Sequence, residues 1–382
     1  MRKILSVCLV LALLLPGLPA MAAGPTVAAK SAVLMDAATG KVLLEQNAHE
    51  KLPPASVTKV MTMLLIMEAI DSGRIGWNDT VTASEAAAAK GGSQIYLKVG
   101  ETMSVTDMLK SIAVSSANDC AAAMAEHIAG SEEAFVALMN EKARQLGMED
   151  THFVNCTGLD DDPAAKDHRT SAYDIAMMSR ELLVNHPDIK KFTTIWMDTV
   201  RNGSFGLSNT NKLVRFYKGA TGLKTGFTAA AGYCLSASAQ RSDMELIAVV
   251  LGSETSQDRF NACKQLLDYG FANYALVQPR PEATYTVPVK LGKAGSVAVV
   301  PAEEGALLID KSQQNQVNIQ VRLEEGVTAP VSKGQKLGTL TVSVGQQVLT
   351  EIPMVAAEGV QKLGFWDIFV DILRQVAMAK SG

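Results

Sequence analysis

The stretch Pro53-Pro54-Ala55-Ser56-Val57-Thr58-Lys59-Val60-Met61-Thr62 (PPASVTKVMT) sets a serine three residues ahead of a lysine, directly after two prolines. As local structure this is a helix start: the prolines end an extended run, Ser56 or Ala55 caps, and Val60, Leu64 and Leu65 turn inward. As chemistry it is a nucleophile with its own base, because residues i and i+3 of a helix share a face and bring the Ser56 hydroxyl to the Lys59 amine. Serine and lysine are common, so the spacing alone leaves both readings open. The rest of the chain has to choose.

With 382 residues the chain is long enough for two domains and a sizeable core. A formal net charge of -4 and the absence of long basic runs argue against nucleic acid as the main partner. Arg2 and Lys3 precede the apolar run Ile4 to Leu15, and Ala20-Met21-Ala22 has the small-x-small pattern of a cleavage site. The run is short for a membrane span and is broken by Pro16, Gly17 and Pro19, so residues 1–22 are expected to be a signal peptide of an exported protein. Cys8 would leave with it. Cys120, Cys156, Cys234 and Cys263 form no C-x-x-C pair and do not cluster with histidine, so neither a metal nor another cofactor is expected. Export permits disulfides, and their connectivity stays open, although the apolar surroundings of Cys120 and Cys234 favour buried free thiols.

Residues 31–46, SAVLMDAATGKVLLEQ, read as two short strands around a turn at Ala38-Thr39-Gly40. From Ser56 to about Arg180 the pattern is largely helical, and strand character returns over residues 230–253, ahead of a helix through DRFNACKQLLDYGF. Strands at both ends with helices between them predict one α+β domain, residues 23–278, whose sheet joins the early hairpin to the late strands. Beyond Pro279-Arg280-Pro281 the runs TYTVPVKL, SVAVVPA, ALLID, VNIQVRL, GTLTVSV and VLTEIPMV predict a small all-β domain over 279–357. The tail, residues 358–382, projects Leu363, Trp366, Phe369, Val370, Leu373 and Val376 to one side of a helix and Gly364, Asp367, Asp371 and Arg374 to the other. Too short and too charged to span a bilayer, it is expected to lie in a membrane surface.

Two further motifs bear on Ser56. VSSANDC supplies Ser116 and Asn118 as S-x-N at a helix start, and GLKTGFT supplies Lys224, Thr225 and Gly226 as K-T-G at the head of a strand. Each alone could be a cap or a turn. In the order S-x-x-K, S-x-N, K-T-G they form the known signature of penicillin-binding proteins and serine β-lactamases. The chain resembles the low-molecular-mass penicillin-binding proteins that act as D-alanyl-D-alanine carboxypeptidases. The similarity is carried by VLMDAATGKVLLEQNAHEKLPPASVTKVMT, GGSQIYLKVGE, AVSSANDCAAAMAEHIAGS, VNCTGLDD with HRTSAYDIAMMS, and GLKTGFTAAAGYCLSASAQ. Catalytic head, β stalk and membrane-surface helix is also that family's layout.

The resemblance implies a transpeptidase-like α+β head with an antiparallel sheet. It implies hydrolysis of the terminal D-Ala from peptidoglycan pentapeptide stems through a Ser56 acyl-enzyme, and covalent acylation by β-lactam antibiotics. Lys59 would take the serine proton, which requires a pKa well below about 10.4. Burial, the Lys224 ammonium and the positive end of the helix all push that way. By resemblance Ser116 relays a proton to the leaving amine, and Asn118 holds the substrate's backbone amide and orients Lys59. Lys224 and Thr225 meet the terminal carboxylate, and Gly226 leaves room for substrate along the strand edge. Backbone N–H groups of Ser56 and Phe227 form the oxyanion hole. His168, in KDHRTSAYD, is expected to position a loop.

One departure stands out. Relatives carry an arginine that clamps the carboxylate in the strand after K-T-G, where DMELIAVV aligns Glu245; Arg241 or Arg215 would then have to take over. Two alternatives remain. A class A β-lactamase needs a loop glutamate, for which Glu181 is the nearest candidate, and a non-catalytic wall scaffold would keep the fold without the chemistry.

Overall fold

The computed structural model describes residues 24–161, 163–281, 283–303 and 305–379, so the expected signal peptide lies outside the described residues. The early hairpin forms as read: β1 (Ser31–Asp36) and β2 (Val42–Gln46) pair antiparallel around the Thr39-Gly40 turn. They share one antiparallel sheet with β3 (Ala220–Thr228), β4 (Gly232–Arg241) and β5 (Met244–Ser253), in the order β2-β1-β5-β4-β3. The segment from the start of the chain therefore pairs with its late strands, Ser31 opposite Leu251 and Asp36 opposite Leu246.

Alternation along β1 and β5 builds two cores. Val33, Met35, Ile247, Val249 and Leu251 face one, and Ala32, Leu34, Leu246, Ala248 and Val250 face the other. Both faces of the sheet are covered, which is why MELIAVVLGS reads as an unbroken apolar run rather than alternating with polar residues. On the first face lie α1 (Lys59–Asp71), α2 (Val105–Ser115), α3 (Asn118–Ala129) and α4 (Ala172–Asn185). On the second lies α5 (Ser256–Asn273), started by a capping box in which Thr255 and Asp258 satisfy each other's backbone N–H groups.

The helix α1 departs from the expected one-sided packing. Val60, Met61, Met63, Leu64, Leu65, Ile66 and Met67 are all buried, so the helix is covered all round and runs through the middle of the larger core. Lys59, its first residue, is buried with them.

Beyond β5 the runs read as strands all form. A six-stranded sheet is ordered Val317–Leu323, Lys336–Val344, Gln347–Ala356, Ser296–Pro301, Tyr285–Lys290, Val327–Thr328. Its own core includes Val287, Val297, Leu340, Val342 and Met354. One strand departs from the pattern. Leu307–Asp310 pairs instead with Tyr274–Val277, just after α5, and Lys311 donates to the Phe271 carbonyl at 2.7 Å. The compositional break at Pro279 is thus bridged by backbone pairing. The chain's last described element is the helix α6 (Phe365–Ala379), on which Phe365, Trp366, Phe369, Val370, Ile372 and Leu373 are exposed. Among the described residues no helix is long and apolar enough to cross a membrane.

Leu340 is fully buried in the core of the six-stranded sheet. Leu340→Ala is expected to cost about 2–5 kcal/mol in that unit, read as an earlier urea transition with limited proteolysis first cutting between residues 285 and 356.

Candidate active site

Ser56 sits in a single 3-10 turn, Ala55–Thr58, leading straight into α1. Ala55 has φ 48°, a left-handed conformation that costs a non-glycine residue energy and persists only where its surroundings enforce it. They do so from beneath. The Thr58 hydroxyl donates to the Ala55 carbonyl at 2.8 Å and lies 2.8 Å from His168 Nε2, while His168 Nδ1 accepts from the Val154 N–H at 3.1 Å. Accepting at Nδ1 leaves the proton on Nε2, so the imidazole is neutral and donates to Thr58. Burial pushes its pKa down to about 4. The loop role expected for His168 is therefore a prop under the Ser56 turn.

Lys59 Nζ lies 3.0 Å from Ser56 Oγ and donates to the Thr157 carbonyl at 2.8 Å. Thr157 belongs to VNCTGLDD, and its place is fixed by Asn155 Oδ1, which accepts from the Thr157 N–H, the Thr157 hydroxyl and the Gly158 N–H. Burial pushes the Lys59 pKa down to about 7, outweighing the opposing influence of Cys156 and Asp119. Of the three causes expected from sequence, burial dominates. The second ammonium shows on the other partner: Lys224 is driven well below its ordinary value by burial, then by Lys59, then by Arg259.

Lys224 and Gly226 lie on the same side of β3, the edge strand beside the Ser56 turn. Lys224 is buried, and its Nζ donates to the Thr225 carbonyl at 2.9 Å. A Cβ on Gly226 would come within 2.6 Å of the Pro54 carbonyl oxygen and about 3 Å of the Ser56 and Val57 nitrogens. The room glycine leaves is thus taken by the Pro54–Val57 backbone, which lets the edge strand seat against the serine turn. Thr225 Oγ1 donates to Thr210 Oγ1 at 2.6 Å, and the Thr210 N–H donates to the Val114 carbonyl at 3.1 Å. Thr210 therefore ties the K-T-G strand to the helix that ends at the second motif.

That motif is a turn between two helices. Ser116 ends α2 in the left-handed region with φ 65°, and Asn118 opens α3. Asn118 Nδ2 donates to the Gly91 carbonyl at 2.7 Å, and its Oδ1 is buried without a partner among the described residues. The Asn118 amide is not bonded to Lys59, and no hydrogen bond joins the Ser116 hydroxyl to either lysine among the described residues. Asp119 follows, and its carboxylate takes the Ile95 and Leu97 N–H groups, clamping the GGSQIYLKVGE loop to α3. Phe227 is half-exposed and lies against Tyr233 with ring centroids 4.3 Å apart.

The arginine question resolves differently from the sequence expectation. Glu245 does not stand free to repel an anion: Lys190 Nζ lies 2.7 Å from one of its oxygens and the Thr221 hydroxyl donates to the other. Arg241 is a correction. It lies five residues along β4 from Ser236, the register partner of Lys224, a distance of about 17 Å at ordinary strand rise. There its guanidinium packs between the Tyr217 and Phe271 rings and touches Asp268, so it is not placed to take over from the missing clamp. Arg215 is exposed on the short helix Leu213–Phe216. Sequence reading missed Arg259 on α5, which is buried and donates to the Gly226 carbonyl at 2.9 Å. Its signal, an arginine on the exposed-looking first turn of a helix, is indistinguishable from a surface residue until the helix is docked on the sheet. Glu181 stays within the regular helix α4, and Cys120, Cys156, Cys234 and Cys263 are all buried free thiols.

A family model described as D-alanyl-D-alanine carboxypeptidase matches residues 19–255, and one described as the C-terminal domain of penicillin-binding protein 5 matches residues 277–362. The chain is 46% identical over 343 residues to the D-alanyl-D-alanine carboxypeptidase DacF of Bacillus subtilis (strain 168), covering 88% of this chain and 87% of that protein. It is 37% identical to DacC of Escherichia coli (strain K12), covering 90% and 88%. Among solved structures, penicillin-binding protein 5 from Haemophilus influenzae superposes with a TM-score of 0.73 at 30% identity, covering 88% of this chain and 99% of that one. Penicillin-binding protein D2 from Listeria monocytogenes, in its ampicillin-bound form, does so at 0.57 and 32% identity over 65% of this chain and 99% of that one.

The neutral His168 prop gives the fold an acid limb. In the folded protein His168 gains a proton only near pH 4, and in the unfolded chain near 6.5. Its contribution to stability is therefore complete above about pH 6.5 and declines by about 3 kcal/mol as the pH falls to about 4. Urea unfolding between pH 7 and 4 is expected to show this slope, and His168→Gln to remove that group's share of it.

Proposed function

The chain belongs to the D-alanyl-D-alanine carboxypeptidase family and is a serine-type enzyme of that kind, and on that premise we propose that Ser56 is the nucleophile and Lys59 the base that activates it. The observation that carries the assignment is the 3.0 Å approach of Lys59 Nζ to Ser56 Oγ, with burial lowering the amine's pKa to about 7. At neutral pH a large share of the amine then holds a free electron pair, so the Ser56 proton has somewhere to go as the oxygen attacks.

The reaction runs in two halves. Ser56 Oγ bonds to the carbonyl carbon of the penultimate D-Ala as its proton passes to Lys59. The C–N bond then breaks as the proton held by Lys59 passes through Ser116 to the leaving amine. Lys59, neutral again, takes a proton from the water that attacks the ester and returns it to Ser56 Oγ as the acyl bond breaks. Backbone N–H groups of Ser56 and Phe227 receive the negative charge that develops on the carbonyl oxygen. Lys224 and Thr225 hold the terminal carboxylate, the Thr225 hydroxyl exchanging its Thr210 partner for the anion. The unpartnered Asn118 Oδ1 is suited to accept a substrate backbone N–H. A β-lactam acylates the same serine, a reading supported by the ampicillin-bound relative.

The substrates are peptidoglycan pentapeptide stems. The leader sequence and the tail support a location at the outer face of the cytoplasmic membrane, with residues 23–278 read as the catalytic domain, 279–357 as stalk and 358–382 as anchor. Attachment would come from the apolar face of α6, where Phe365, Trp366 and Phe369 pack against one another and remain exposed.

Purified protein is expected to release D-Ala from a peptide ending in D-Ala-D-Ala, and Ser56→Ala to reduce release by more than about 10³-fold. Release that survives the substitution overturns the nucleophile. Because Lys59 must be neutral to act, the acylation rate constant should climb as pH rises through about 7 and level off above it, a profile that a labelled penicillin measures. The full mature chain is expected to co-sediment with phospholipid vesicles. Trp366→Asp with Phe369→Asp should leave it in the supernatant with D-Ala release unchanged.

A further inference from the structure

Arg259 is a buried cation without an acid. Nη1 donates to the Gly226 carbonyl at 2.9 Å and to the Cys234 carbonyl at 3.4 Å, and Nη2 reaches the Ser256 hydroxyl at 3.4 Å. Nε is buried and has no partner among the described residues, and the guanidinium lies over the rings of Tyr233 and Phe260 at 5.2 and 5.0 Å. No carboxylate pairs with it among the described residues. Taking an unpaired charge out of water is costly, and such a group needs a compensating role.

Its best partner says what that role is. Gly226 C=O and Phe227 N–H belong to one peptide unit, which is planar and trans, so its carbonyl and its N–H point in opposite directions. A donor seated on the carbonyl therefore fixes where the N–H points. A cationic donor also draws electron density from the oxygen, leaving the N–H more positive and a stronger donor in turn. Gly226 and Cys234 are register partners on β3 and β4, so Arg259 spans both strands at this level of the sheet. It also lies over Tyr233, the ring that packs on Phe227, so both the peptide and the side chain of that residue are braced from α5. The group cannot be reached by substrate through this bond, since it acts on the far end of the peptide.

We propose that Arg259 is a positioning residue for the reaction, which orients and polarises the Gly226–Phe227 peptide so that the Phe227 N–H serves as an oxyanion donor. The inference rests on the assignment of Phe227 to the oxyanion hole made above. It adds a residue that touches no reacting atom and yet acts selectively on the charged transition state.

Arg259→Met keeps the apolar stem and removes the donor, and Arg259→Lys keeps the charge with a simpler donor. Removing a whole oxyanion donor costs about 10²–10³ in rate, so weakening one is expected to lower kcat by about 10- to 100-fold in Arg259→Met. KM for a D-Ala-D-Ala peptide should change by less than about threefold, because the ground-state carbonyl makes little use of the donor. Affinity for a peptide boronic acid, whose tetrahedral adduct on Ser56 carries the same negative oxygen, should fall by the same factor as kcat, and Arg259→Lys should recover part of both. Unchanged kcat and boronate affinity in Arg259→Met overturn the proposal. So does a loss that follows a lowered melting temperature while the folded fraction keeps normal boronate affinity, since that is a structural role. Should Arg259→Met fail to fold, the ratio of boronate to substrate affinity in Arg259→Lys decides, and a wild-type ratio overturns it. A labelled-penicillin adduct mapped to Ser56 in the unsubstituted protein is the parallel control. Its absence sinks the Ser56 reading itself, whereas its presence beside an unaffected Arg259→Met sinks this inference alone.

Discussion

A lysine amine held in a dry pocket beside a serine hydroxyl is the constraint around which this catalytic domain is arranged. Lowering the Lys59 pKa from 10.5 to about 7 corresponds to about 5 kcal/mol of penalty on the charged form. Nothing local could maintain that penalty, because an exposed lysine on a first helical turn would stay protonated. It takes a helix covered on all sides, with the apolar residues of α1 buried around its axis. It takes an absence as well: the bonds that Lys59 makes are to a hydroxyl and a carbonyl, both of which tolerate a neutral amine. The neighbouring cation, Lys224, is likewise bonded to a carbonyl and not to a carboxylate. An acid paired with Lys59 would restore its charge and silence the base proposed here.

Three motifs far apart in the chain meet because the backbones between them can approach closely. Gly226 lets the edge strand come against the Pro54–Val57 turn, where any side chain would collide with main-chain atoms. Gly158, with φ 80°, does the same on the other side, lying against the Ala55 carbonyl and the Thr58 hydroxyl. Thr210 joins the strand to the end of α2, and Thr157 brings its carbonyl to Lys59. Much of the framework consists of main-chain groups whose direction the fold sets, and such groups need no reorganisation when charge develops. Ala55 and Ser116, both in the left-handed region, flank the same site: one precedes Ser56 and the other carries the second motif's hydroxyl.

The second β unit contributes no residue to this site, yet it is not merely appended. Its strand Leu307–Asp310 pairs with Tyr274–Val277, which leaves α5 directly, and α5 carries Arg259 beneath the K-T-G strand. Backbone pairing thus ties Leu307–Asp310 to the strand that directly follows the helix carrying Arg259. At the far end, Phe365, Trp366 and Phe369 of α6 are exposed among the described residues.

Read alone, the chain yields the order of its elements and a set of candidate residues for the chemistry. Ser56, Lys59, Ser116, Asn118 and Lys224 were legible because their types and spacings form a specific signature, and the strands because alternation and turn residues are local properties. The early hairpin was also placed correctly in the sheet, since an α+β pattern with strands at both ends has few ways to bury them. Which charges are neutralised and which carbonyls are occupied came only from the folded chain. Glu245 looked like an intruding charge until Lys190 was seen beside it, Arg241 looked available until Tyr217 and Phe271 enclosed it, and Arg259 carried no mark at all. The reason is physical. Whether a charged side chain acts on a substrate, on a peptide or on nothing depends on its burial and on partners tens to hundreds of residues away, and no window of sequence contains that distance.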